Sequence, residues 1–417
     1  MSSIKKSILV FVSLLSAPAA FSQNILSLDS IIARIDQQNA NLRAYTSRAQ
    51  SQVAKSQGST AQMAPMIGAG TWMTPYPGTK VMDETDKGAW MLSAEQDITN
   101  PAKLRRKQAY ENSLAAVELE GRNVALNDVR TQAKKLYYGW LVASKKMSVL
   151  KENERILTTL NKLAKIRYPY NKATLSSVYS AEGRLAEVQN MQLMTEADMR
   201  KKMYQLNTLM NRPASSAFAI DTAYQLKFIP VAVADTAYLS SAKSVVRQMD
   251  KNISSMNLNI DAMKAEAKPD FRLRLDNMFN RAPMMPTQFT AMAMVSIPIA
   301  PWSSKMYKSG VKSMQYSIEA MRNERQAMLI ETENMVASML TDITTMQRRL
   351  KNFEQKILPA LQKSFDANRI AYEENTLALP QVMTSWETYN MNRMNYLDEL
   401  QAYYLMTADY EKEIEKN

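Results

Sequence analysis

The sequence predicts a mostly α-helical protein with a small β part, built from one structural unit used twice. Three observations carry this. Only nine glycines occur in 417 residues, against an average near 7% in globular chains. Residues 311–358 hold neither Gly nor Pro, and Met339, Ile343, Met346, Leu350, Phe353 and Ile357 recur in alternating steps of four and three. That spacing lays one narrow stripe along a single helix, roughly 70 Å long at about 1.5 Å per residue, too long for an ordinary globular domain. Finally, motifs recur. Arg155-Ile156-Leu157-Thr158-Thr159-Leu160 corresponds to Lys356-Ile357-Leu358-Pro359-Ala360-Leu361, and Tyr168, Leu175 and Val178 correspond to Tyr372, Leu379 and Val382.

Taken in order, residues 1–22 read as a signal peptide. Lys5 and Lys6 precede the apolar run Ile8-Leu9-Val10-Phe11-Val12, small residues follow, and cleavage is expected before Gln23. The run is too short to span a bilayer. A helix is expected over 25–57, opened by Ser27 or Asp29, with Leu28, Ile31, Ile32 and Ile35 on one side. Residues 66–73 suit a strand. A Pro-rich loop follows to Lys87, and residues 89–98 alternate as a second strand. Asn100-Pro101 opens a long helix, with proline in its first turn, and Met147, Leu150, Leu157, Leu160 and Ala164 mark its stripe. A turn at 169–172 reverses the chain into a helix over 175–209, stopped by Asn211-Arg212-Pro213. Residues 214–235 read as an irregular linker.

The order then repeats. A helix over 235–266 leads to strands at 271–278 and 289–299, joined by a loop with Pro283 and Pro286. Pro301 opens the long helix, and a turn at 372–376 leads to a last helix ending near Glu415. That helix carries Val382, Trp386, Tyr389, Tyr396, Leu400 and Tyr403 in heptad steps, interrupted by Arg393. The two repeats are placed at 23–225 and 226–417.

Composition narrows the function. Cys and His are absent, which removes disulfides, thiol nucleophiles, Cys/His metal sites and histidine acid–base chemistry. There is no Gly-rich phosphate loop and no convergent carboxylate pair, so no enzyme and no cofactor is expected. The net charge of +12 is spread among acids along helices. It reads as a solvated surface, and nucleic acid is not expected as a partner. The 31 methionines include Met284, Met285, Met292 and Met294. Thioethers suit soft cations such as Cu(I) or Ag(I), but methionine is also a helix former and gap filler. Packing is the expected role, and no metal site is assigned. Trp72, Trp90, Trp302 and Tyr76 fall near strand ends, as an interfacial belt requires.

Four strands in one chain cannot close a barrel, and open sheet edges in lipid leave backbone groups unsatisfied. If the strands span a membrane, several chains must pool them. The rods likewise want neighbours on both flanks. An oligomeric tube, stranded at one end and helical along its length, satisfies both demands.

In this arrangement the chain resembles the TolC-like outer-membrane efflux proteins. The resemblance rests on the doubled strand-strand-long helix-turn-helix order and on Ser296-Ile297-Pro298-Ile299 before the long helix. It rests also on the segments 168–180 and 372–384, and on Leu206-Asn207-Thr208-Leu209-Met210-Asn211-Arg212-Pro213 closing the first half. It implies a homotrimer with a twelve-stranded β-barrel in outer-membrane lipid, continued by a periplasmic α-helical barrel. The tip of that tube would dock a periplasmic adaptor protein and an inner-membrane pump. Tyr168, Asn171, Tyr372 and Asn375 then mark the tip turns and adaptor contact. Asn171 and Asn375 stand where the family commonly has Gly, and Asn also tolerates positive φ. The family's acidic gate positions fall on Gln381 and Thr384, and on Ser177 and Ser180, none of them acidic. Either the gate is uncharged, or Glu373 and Glu374 nearby supply a charged ring. Two rival readings stand beside this one: a soluble periplasmic coiled-coil scaffold or adaptor, and a Met-rich copper- or silver-binding protein.

Overall fold

The computed structural model describes residues 25–231, 234–283, 285–298 and 300–415. The expected signal segment, Met284 and Ile299 lie outside the described residues. The chain opens with strand β1 (Ile25–Leu26), helix α1 (Leu28–Gln38) and helix α2 (Ala40–Gly58). Ser27 caps α1 by accepting the Ser30 N–H, and Leu28, Ile31 and Ile35 are buried. The single helix expected here is broken at Asn39. The Asn39 side chain accepts the N–H groups of Asn41 and Leu42 at 3.0 and 3.2 Å, and its amide donates to Leu209 O at 2.9 Å. One side chain thus caps a helix start and ties it to a helix end far along the chain, a use that periodicity cannot reveal.

Strands β2 (Met66–Trp72) and β3 (Ala89–Ile98) lead into α3 (Pro101–Arg167), capped by Asn100 with Pro at its first position. Its 67 residues make a rod about 100 Å long. Helix α4 (Leu175–Leu209) returns antiparallel to it. The following linker is less irregular than expected. It forms β4 (Ala219–Ile220), parallel to β1, and buries Phe218 and Ile220. The helix expected over 235–266 is divided into α5 (Thr236–Ala242) and α6 (Ser244–Ala265). At the break, Lys243 reaches Thr332 Oγ1 at 2.9 Å and Glu413 at 2.5 Å.

Strands β5 (Asp270–Asn280) and β6 (Gln288–Ser296) precede α7 (Pro301–Asn352). The rod does not end with the heptad stripe. It passes through one π-helical turn, Phe353–Ile357, into α8 (Leu358–Glu373), and α9 (Leu379–Ile414) returns. Pro359 has no N–H to give, and the Leu358 N–H bonds Phe353 O five residues back. A π turn inserts one residue into a helix, and the burial pattern records it. Ile343 and Leu350 are buried one heptad apart, as are Phe365 and Tyr372, but Leu350 and Phe365 are separated by two heptads plus one residue. Phe353 and Ile357, inside the π turn, are only half-buried.

The helices pack in the order α2–α3–α6–α7 beside the sheet, while α4, α8 and α9 join them toward the far end. One core cluster gathers α1, the middle of α3, the linker and the end of α9 around Tyr137, Tyr138, Leu141 and Tyr410. A second fills the space between the turns, around Leu157, Leu160, Val178, Phe365 and Trp386. No helix among the described residues is long and apolar enough to cross a membrane.

The four long strands form one antiparallel sheet, β2-β3-β5-β6, with β3 and β5 joining the two halves of the chain. Register separates its two faces, since paired residues share a face. One carries Ile67, Trp90, Leu92, Phe271, Leu273, Leu275, Phe279, Phe289 and Val295, each between 44% and 78% exposed. The other carries an ion-pair ladder: Arg272 meets Asp97 at 2.5 Å and Glu95 at 3.0 Å, and Arg274 meets Asp276 at 3.0 Å. Met292 and Met294 lie on this polar face, opposite Arg274 and Arg272. Among the described residues, the outer edges of β2 and β6 have no strand partner within the sheet.

Candidate functional site: the turns at the far end of the rods

Both turns close through an asparagine in the left-handed region, Asn171 at φ 57° and Asn375 at φ 63°. In the first, a short 3-10 segment (Tyr168–Tyr170) follows α3, the Asn171 N–H bonds Tyr168 O, and the Lys172 N–H bonds Arg167 O at 3.1 Å. In the second, the Asn375 N–H bonds Tyr372 O and the Thr376 N–H bonds Ala371 O at 2.9 Å. This is the C-terminal closure in which a residue with positive φ lets following N–H groups satisfy the last carbonyls. The helices after the turns start differently. Thr174 caps α4 by accepting the Ser177 N–H, whereas α9 carries Pro380 in its first turn with no side-chain cap.

The two turns are joined by a residue that the sequence does not single out. Arg167, 9% exposed, donates to Tyr372 O at 2.6 Å and to Glu373 O at 2.9 Å. Its guanidinium also lies 4.5 Å from the Tyr372 ring centroid. A cation at the C-terminal carbonyls of α8 is favoured by the helix dipole as well as by the bonds. Burial pushes the Tyr372 phenol above its ordinary pKa, while the Arg167 charge opposes the rise. The available signal was a basic residue in the last turn of a helix. Nothing local says that its partners belong to the other half of the chain.

Of the expected contact residues, Tyr168, Asn171 and Asn375 are exposed, with Tyr168 at 45%. Tyr372 is not: at 1% exposure it packs inside the turn and shapes it from within. Tyr168 and Tyr372 correspond in sequence but have opposite burial: Tyr372 belongs to the second core cluster and Tyr168 does not. The gate candidates also separate. Ser177 is buried, with its hydroxyl 2.7 Å from that of Thr174, so it belongs to a helix cap and does not line a surface. Ser180, Gln381, Thr384, Glu373 and Glu374 are exposed. Glu373 pairs with Arg369 at 3.3 Å.

Above the turns, polar residues join the two hairpins. Asn153 accepts from the Trp386 indole at 3.2 Å and donates to Asn390. Arg393, the interruption in the α9 stripe, pairs with Glu152 at 2.8 Å while lying across the Tyr389 ring. An open groove of about 320 Å³ runs between α3 and α8, lined by Arg155, Ile156, Phe365, Asp366 and Tyr389 among others. Among the described residues no cluster of three or more acidic side chains is placed to hold a metal ion.

No family model and no curated protein sequence matches the chain. Solved structures do. The outer-membrane channel OprN is similar at a TM-score of 0.74 and 12% identity, over 93% of this chain and 89% of that one. CusC, studied for folding and transmembrane channel formation, gives 0.74 at 13% identity, over 96% and 95% of the two chains. The open state of the Neisseria gonorrhoeae outer-membrane channel MtrE gives 0.71 at 13% identity, over 93% and 88%. At these identities the likeness is one of fold, and it extends over nearly the whole chain.

Proposed function

We propose that this chain is a subunit of a passive outer-membrane channel with a large periplasmic part, serving an efflux or secretion system. The observation that carries the reading is the two-sided sheet. A face of large apolar side chains left exposed is unstable in water and suited to lipid, while charged pairs on the opposite face suit a wet lumen. The fold shared with OprN, CusC and MtrE supports it. A soluble scaffold would leave the apolar face without a partner.

Three copies bring twelve strands together and leave no open edge, so the functional unit is a homotrimer. The two repeats, 23–225 and 226–417, each contribute one hairpin to the barrel and one rod pair to the helical tube. The turns form the periplasmic tip, where Tyr168, Asn171 and Asn375 face an adaptor protein and an inner-membrane pump. Opening is an iris-like separation of the α8–α9 hairpin from the α3–α4 hairpin. The Arg167 link and the exposed ring of Ser180, Gln381, Thr384, Glu373 and Glu374 lie on that path. The chain itself performs no chemistry, and the energy comes from the pump.

The test is fractionation of cells followed by a denaturing gel with and without heating. Recovery in outer membranes as a heat-sensitive trimer, with ion conductance in planar bilayers, is the expected result. A soluble monomer overturns the proposal.

A further inference from the structure

The apolar face of the sheet ends at an arginine. The Arg281 N–H bonds Gly88 O at 3.0 Å, continuing the β3–β5 pairing by one step. Its guanidinium lies 4.3 Å from the centroid of the Trp90 ring. Trp90 pairs with Phe279 and Thr71 on the apolar face and is 58% exposed. The cation is therefore held on the apolar side, at the end of the sheet away from the rods. Arg272 and Arg274, on the polar face, each lie within ion-pair range of two carboxylates. Among the described residues no carboxylate pairs with Arg281, and its Nε is buried without a hydrogen-bond partner.

The height of this arginine follows from strand geometry. Phe271 to Phe279 spans eight residue steps, about 27 Å at 3.4 Å each. A strand tilt near 40° reduces this to a height of about 20 Å, close to the roughly 25 Å apolar band of such barrels. Arg281 is two residues beyond Phe279, which places it at headgroup level. An indole bearing a cation on its face is suited to that layer.

We propose that Arg281, held against Trp90, is a docking point for a phosphate-bearing lipid of the outer leaflet. The planar guanidinium pairs with phosphate oxygens through two parallel N–H bonds. The lipid's acyl chains then lie along Trp90 and Phe279. The continuous apolar surface beside the cation is what favours a lipid over a free anion. The inference rests on the outer-membrane reading given above.

The trimer, extracted from outer membranes in mild detergent and stripped of lipid, is titrated with diphosphoryl lipid A and followed by native mass spectrometry. Dephosphorylated lipid A and inorganic phosphate are the comparison probes. Loss of the paired charge in Arg281→Gln weakens binding of the phosphorylated lipid about tenfold or more, Arg281→Lys retains part of it, and dephosphorylated lipid binds no variant differently. Equal binding by wild type and Arg281→Gln, or displacement of the lipid by millimolar phosphate, overturns the docking proposal alone. Absence of the protein from outer membranes overturns the membrane reading and this inference with it. A heat-sensitive trimer on the gel verifies that each variant folds.

Discussion

Arg167 illustrates how much one side chain can link when its partners are backbone carbonyls of another segment. Charge-assisted hydrogen bonds contribute about 1.5–3 kcal/mol each, and this residue makes two of them across the turns. Arg167→Ala is expected to raise amide exchange over residues 372–377 by about tenfold or more, with little change in global unfolding. Hydrogen-exchange mass spectrometry reads this directly, and unchanged protection there would count against the link. The buried tyrosines make a second residue-scale prediction. Burial, with nearby Asp221, pushes the Tyr137 phenol from its ordinary value of 10.0 to about 12, and burial moves Tyr138 further in the same direction. Raised native pKa values mean that the folded chain keeps protons the unfolded chain releases, so this stability is present below pH 10 and is lost as pH rises from 10 through 12. Denaturant midpoints measured across that window should fall, and Tyr138→Phe should flatten the fall.

At the scale of elements, the long rod is more informative than its stripe. Heptad spacing identified a helix and its buried side correctly up to Leu350. It missed the one-residue shift at the π turn, because Pro359 acts through a missing N–H and leaves no mark on apolar periodicity. Leu350, on the stripe just before the π turn, is buried in the core at 7% exposure. Leu350→Ala should therefore cost about 2–4 kcal/mol of protomer stability, and Phe353→Ala, half-buried inside the π turn, distinctly less. Urea titrations of both variants compare the two costs; equal losses would remove the packing distinction. The breaks at Asn39 and Lys243 were missed for a related reason, since each depends on partners far along the chain.

For the whole molecule, the decisive feature is the sidedness of the sheet. Leu275 sits near the middle of β5 on the apolar face, whereas Met292, directly beside Arg274, is on the polar one. Arg at the bilayer midplane of such a barrel costs about 2–4 kcal/mol. On the channel reading proposed above, Leu275→Arg should thus reduce trimer recovery from outer membranes, while Met292→Arg should leave the trimer intact and alter conductance. Heat-modifiable mobility and single-channel recordings separate the two, and equal tolerance of both substitutions would be incompatible with a lipid-facing apolar surface.

Element type, order and most boundaries were determined by the sequence alone, because glycine scarcity, prolines at helix starts and periods of 3.5 and 2 are local signals. The strand 89–98 and the helices at 101 and 175 begin where local chemistry places them, and Asn171 and Asn375 were recognisable as residues able to take positive φ. Tertiary structure decided what those signals could not contain. It paired β3 with β5, set Tyr372 inward and Tyr168 outward at corresponding positions, committed Ser177 to a cap, and brought Arg167 under the opposite turn. Apart from the local Ser177 cap, these depend on contacts between residues far apart in the chain, whose free energy is gained only when the halves meet and which therefore leave no periodic trace in either.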